Sequence, residues 1–110
     1  MALTGTLDVS VSSDEVEFTF EVTNDGSEPV DLTFPNACTA DVAVIDGNDE
    51  VWRWSNDRMF AQMIQQVSLG PGESEVEVRV WDAPEPGDYE AVATLTAQNA
   101  DVEARTSFSV

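Results

Sequence analysis

The chain has 110 residues, of which 22 are Asp or Glu and only four are basic, all of them Arg, so that the formal net charge at pH 7 is -18. A domain of this length closes one core without disulfide or metal, and so negative a chain is a poor match for nucleic acid or an anionic membrane surface. The absence of His and Lys removes Ser-His-Asp and Cys-His arrangements, His-based metal sites and Schiff-base chemistry.

The residue types favour strands, with fifteen Val and nine Thr, because β-branched side chains suit a pleated surface and are stiff in helices. Leu3, Gly5, Leu7, Val9 and Val11 alternate with Thr4, Thr6, Asp8 and Ser10. Val16, Phe18, Phe20 and Val22 then alternate with Glu15, Glu17, Thr19, Glu21 and Thr23, the cleanest half-buried strand in the chain. Asn24-Asp25-Gly26-Ser27-Glu28-Pro29 is a turn cluster. Residues 30–34 read as a short strand closed by Pro35-Asn36. Residues 41–46 and 50–54 read as a hairpin around Gly47-Asn48-Asp49. An irregular stretch, residues 55–65, follows. Residues 66–69 are a strand, and Gly70-Pro71-Gly72 is a tight turn. Residues 75–81 alternate, with Val76, Val78 and Val80 on one face. Trp81 shares the parity of Glu75, Glu77 and Arg79, which predicts that the strand bulges or ends before it; the alternative is a Trp81 exposed as a contact. Residues 88–97 and 102–110 close the chain as a hairpin.

Eight or nine strands at intervals of about 8–12 residues predict one all-β domain, residues 1–110, with the architecture of an immunoglobulin-like antiparallel β-sandwich. Pro86-Gly87-Asp88-Tyr89-Glu90-Ala91 reads as a tyrosine corner, with Ala91 where an immunoglobulin domain carries a Cys.

The acids are spread along the chain rather than blocked. Their mutual repulsion is largely screened at about 1 M salt, where the Debye length is roughly 3 Å. This is the composition expected of a cytoplasmic protein adapted to concentrated salt. Cys38 is the only cysteine, so an internal disulfide is excluded, in keeping with a reducing compartment. The beginning of the chain has no secretory pattern, and no run approaches 18 apolar residues. Asp46-Gly47-Asn48-Asp49-Glu50 lacks the Gly at position six and the Glu at position twelve of a calcium loop (Val51 and Asp57 stand there). With no phosphate-binding loop and only carboxylate pairs left for catalysis, the chain is read as a non-enzyme with no cofactor and no metal.

Residues 51–64 hold two of the three Trp, two of the four Arg and two of the three Met. Trp52 and Trp54 share one face of a strand, and Arg53 takes the other. Phe60, Met63 and Ile64 have the spacing of one helical turn. The segment either plugs one end of the sandwich or forms a partner-contacting loop. Trp, Met and Arg are enriched at interface cores, which makes Trp54, Arg58, Met59, Phe60 and Trp81 the candidate contacts with a protein partner.

Phe18-x-Phe20-x-Val22-x-Asn24, Pro29-Val30-x-Leu32-x-Phe34, Ala40-Asp41-x-Ala43-Val44, Val51-Trp52-Arg53-Trp54-Ser55 with Met59-Phe60-x-Gln62, Leu69-x-Pro71-Gly72-Glu73, Trp81 and Pro86-Gly87-x-Tyr89 follow in an order and spacing that resemble the BsuPI-type intracellular proteinase inhibitor family. The chain departs from that pattern at Asn36-Ala37-Cys38-Thr39. The resemblance implies an immunoglobulin-like sandwich that inhibits an intracellular, subtilisin-like serine proteinase, with Met59 or Phe60 as the anchor for an apolar pocket. A non-inhibitory protein-interaction or assembly module is the alternative.

Overall fold

The computed structural model describes residues 3–56 and 58–110; Met1, Ala2 and Asp57 lie outside the described residues. Among the described residues there are nine strands: β1 Leu3–Val11, β2 Glu15–Asn24, β3 Val30–Phe34, β4 Ala40–Asp46, β5 Asp49–Arg53, β6 Gln65–Leu69, β7 Ser74–Asp82, β8 Asp88–Leu95 and β9 Glu103–Ser109. They form an all-β, antiparallel, immunoglobulin-like sandwich, as the alternation and turn spacing predict. One sheet has the order β1-β2-β7, the other β5-β4-β8-β9, and β3 and β6 pair with each other.

The β3–β6 pair prolongs the β2–β7 ladder. Thr23 stands opposite Ser74, the Asn24 N–H bonds the Glu73 carbonyl at 3.0 Å, and beyond the turn residues Val30 stands opposite Leu69. The far end of the two-stranded ribbon meets the connection between β8 and β9, where the Gln98 N–H reaches the Thr33 carbonyl at 2.8 Å. Asn24, fully buried, holds the turn between β2 and β3. Its Nδ2 donates to the carbonyls of Glu28 (2.8 Å) and Leu69 (2.9 Å), and its Oδ1 accepts from the Gly26 N–H at 2.9 Å. A buried amide is tolerated only when its donors and acceptor are satisfied in this way.

The core lies between β2 and the β4–β8 pair. Val16, Phe18, Phe20 and Val22 are fully or almost fully buried, as are Val42, Val44, Ala91 and Ala93. Small side chains on β8 leave room for the Phe pair on β2. Gly5 serves the same fit, since a Cβ there would sit 2.8 Å from Val102 Cγ1. The tyrosine corner is present: the Tyr89 hydroxyl donates to the Glu85 carbonyl at 2.7 Å.

Strand β7 corrects the expectation for Trp81. The register with β2 runs unbroken from Ser74 to Asp82, so the strand neither bulges nor ends before Trp81. Trp81 is 9% exposed and belongs to the core, whereas Val76 and Val78 are 51% and 48% exposed. The parity with Glu75, Glu77 and Arg79 faces inward. At this side of the sandwich the opposing row is Trp52 and Trp54 rather than aliphatic side chains. Trp52 stacks on Trp81 with centroids 5.8 Å apart, and the Arg79 guanidinium lies 4.1 Å from the Trp54 ring centroid. A stacked guanidinium, paired with Glu77 at 3.1 Å, is an acceptable inward residue at a sheet edge.

Candidate functional site

The site grows out of β5. Trp52 faces the core and stacks on Phe18 (5.9 Å) as well as Trp81. Arg53 takes the opposite face, as strand alternation requires. There it meets Asp41, which is only 8% exposed. Asp41 is saturated: Oδ1 accepts from the N–H groups of Val42 and Ser55, both at 3.0 Å, and Oδ2 accepts from Ser55 Oγ at 2.6 Å and Arg53 Nη1 at 3.0 Å. Arg53 also donates to Glu50 Oε1 through Nε at 3.0 Å and Nη2 at 2.6 Å. The hydrogen bonds to Glu50, then the one to Asp41, push the Arg53 pKa further up. These bonds fix where the chain leaves β5.

The Trp54 N–H bonds the Val42 carbonyl at 2.9 Å, and two guanidiniums lie over the Trp54 ring, that of Arg79 at 4.1 Å and that of Arg58 at 4.5 Å from its centroid. Arg58 also donates from Nε to the Trp54 carbonyl at 2.8 Å. Phe60 packs on Trp54 with centroids 5.6 Å apart, and the Ala61 carbonyl accepts the Ala37 N–H at 3.0 Å. Farther on, Gln65 Nε2 donates to the Asn36 carbonyl at 3.2 Å. Between these anchors, residues 58–64 form no helix and no strand. The helical spacing of Phe60, Met63 and Ile64 therefore does not produce a helical turn. Met63 and Ile64 are 56% and 70% exposed, and Met59 is completely exposed.

Of the five residues singled out in the sequence, Trp54, Arg58 and Phe60 thus come together as one stack, and Met59 projects beside it. Trp81 lies apart, in the core. Its burial overturns its candidacy as an exposed contact. Sequence reasoning missed Asp41, Ser55 and Arg79, which hold the loop. The one available signal was an Asp inside the otherwise apolar run Ala40-Asp41-Val42-Ala43-Val44, where an ionised carboxylate is buried only if paired.

No group of three or more acidic, Cys or His side chains among the described residues is arranged to hold a metal. Cys38 is buried, and burial pushes its thiol pKa up, so the side chain remains a neutral packing group. An open depression of about 350 Å³ lies over Trp81 and Tyr89, between Asp46 and Glu85. No described helix is long and apolar enough to cross a membrane.

The sandwich with its exposed, many-anchored loop is an immunoglobulin-like domain. Residues 3–100 match the model of the BsuPI family, described as intracellular proteinase inhibitor, and the chain belongs to that family. No curated protein matches it in sequence. Among solved structures, it is similar to the CARDB domain of a Pyrococcus furiosus protein in solution, with 24% identity, a TM-score of 0.56, and 99% of this chain and 94% of that one covered. A crystal structure of the same domain with di-metal ions gives 24% identity and a TM-score of 0.56 over 98% of this chain and 86% of that one. A β-glucosidase from Kluyveromyces marxianus in complex with glucose gives 14% identity and a TM-score of 0.54, covering 98% of this chain but 14% of the enzyme. These likenesses concern the fold.

Proposed function

We propose that this chain is a non-enzymatic, single-domain inhibitor of a subtilisin-like serine proteinase, working in a salt-rich cytoplasm, and that residues 58–64 make the contact. The observation that carries the reading is Met59. It is completely exposed on a stretch without regular structure, between Arg58, which donates to the Trp54 carbonyl, and the anchors formed by Phe60 on Trp54 and Ala61 on Ala37. A loop fixed on both sides of its contact residue loses little entropy on docking, and an unbranched apolar side chain held in water gains most from entering an apolar pocket. Arg58, Met59, Phe60 and Trp54 are the contact group, with Phe60 and Trp54 half-spent on holding the loop. Trp81 has no part in it.

The test is an inhibition titration of a salt-tolerant subtilisin-like proteinase, with a trypsin-like serine proteinase and a metalloproteinase for comparison, in about 2 M KCl, where acidic surfaces are screened. Stoichiometric loss of activity confined to the subtilisin-like enzyme supports the proposal. Loss confined to another class would refute the pocket assignment, and full activity in all three with a folded chain would refute inhibition.

A further inference from the structure

Strand β7 ends its sheet, and its outward face carries Val76 and Val78, about half exposed. Two backbone bonds fix which of its groups point away from β2. The Asn24 N–H bonds the Glu73 carbonyl, and the Ala83 N–H bonds the Asp14 carbonyl. In an antiparallel ladder the bonded pairs alternate, so odd-numbered residues of β7 aim their backbone groups at β2. The even-numbered residues, Val76, Val78 and Val80 among them, aim theirs away from the sheet. Arg79 agrees with this: its Nη1 donates to the Val78 carbonyl at 2.9 Å, across the open edge. Among the described residues no backbone group outside β2 bonds a backbone group of the strand; the Ala40 carbonyl accepts from the Arg79 side chain at 3.3 Å.

Such an edge is a template for another strand, and its sequence is complementary to itself. We propose that two copies of this chain pair antiparallel through β7 about a twofold axis at Val78. That register joins the even-numbered backbone groups of both copies, with each Val78 carbonyl accepting a second hydrogen bond beside Arg79 Nη1. It sets Val78 against Val78, Val76 against Val80 and Glu77 against Arg79 of the other copy, twice. Sliding by one step sets Glu77 against Glu77 in one direction and Arg79 against Arg79 in the other, and like charges directly opposite are unfavourable. The register centred on Val78 alone among these three gives opposite charges and a continuous valine row. The product is a six-stranded sheet, β1-β2-β7-β7-β2-β1. With 18 net negative charges on each copy, assembly strengthens with salt.

The test is sedimentation equilibrium of the full chain from about 0.2 to 4 M KCl, with two single variants. Val78→Glu places two carboxylates at the axis and, being on an exposed face, leaves the fold intact. Val11→Glu makes the same charge change at another exposed valine (44%) of that sheet. We expect a dimer that tightens with salt, weakened by about ten-fold or more in Val78→Glu and unchanged in Val11→Glu. A wild type that stays monomeric at millimolar concentration in 4 M KCl overturns the proposal, as does a dimer indifferent to Val78→Glu. A monomer whose proteinase inhibition falls in Val78→Glu would assign the edge to the proteinase instead and also overturn it.

Discussion

Replacing Asp41 by Asn tests how the loop is held. The amide keeps one oxygen for the N–H groups of Val42 and Ser55, both at 3.0 Å. In place of Oδ2 it presents an NH2, which faces Ser55 Oγ and Arg53 Nη1. The hydroxyl can turn and accept; the guanidinium cannot, so two donors meet. A hydrogen bond to a charged group contributes about 1.5–3 kcal/mol. Arg53 is 39% exposed at its side chain and keeps Glu50, so its share is discounted for solvent. The expected loss is about 2 kcal/mol by urea unfolding in 2 M KCl, with an unchanged m-value. Ser55→Ala alone should cost about 1 kcal/mol, and the double variant should not cost the plain sum, because both changes act on the same contact between residue 41 and Ser55. Inhibition should weaken by roughly five- to ten-fold as the loop entry loosens. A loss below about 0.5 kcal/mol in Asp41→Asn, or strict additivity with Ser55→Ala, would refute the reasoning.

Met59→Ala should leave thermal unfolding unchanged, because the side chain is completely exposed, while weakening inhibition by about 30-fold, the usual cost of truncating a buried interface anchor. A lowered melting temperature with unchanged inhibition would reject its contact role. The Glu75 pKa is raised, first by burial and then by Glu77; its ionised form is therefore disfavoured in the fold, and the stability present while it is protonated is lost as pH rises through its folded pKa. Glu75→Gln should accordingly stabilise the chain at pH 7 and match wild type in acid below the ordinary carboxylate range, as thermal unfolding at both pH values will show. With 18 net negative charges, the melting temperature should rise by many degrees between about 0.1 and 2 M KCl, and equal midpoints would remove the case for salt adaptation.

The architecture was legible because β2 writes its alternation plainly: its apolar parity is the buried one from Val16 to Val22, and the turn clusters fall where strands end. Strand β7 was misread because its valines, apolar and in step, lie on the outside. What turns it over is tertiary. Trp52 and Trp54 on β5 and the loop after it supply aromatic faces for Trp81 and Arg79, and a local pattern carries no information about the opposing row. The loop was located by its Trp, Arg and Met content, and Met59 was singled out. The helical spacing at Phe60, Met63 and Ile64 was fortuitous, since the Ala37–Ala61 backbone bond holds the chain without a helix. Asp41, Ser55 and Arg79 are scattered in sequence, and only folding brings them to the loop.

The most direct test of the loop's role is steady-state inhibition of a subtilisin-like proteinase in about 2 M KCl at several concentrations of a small peptide substrate. A loop that enters the substrate cleft raises the apparent KM and leaves kcat untouched. An unchanged KM with a lowered kcat, or no inhibition by a chain shown to be folded, would contradict it.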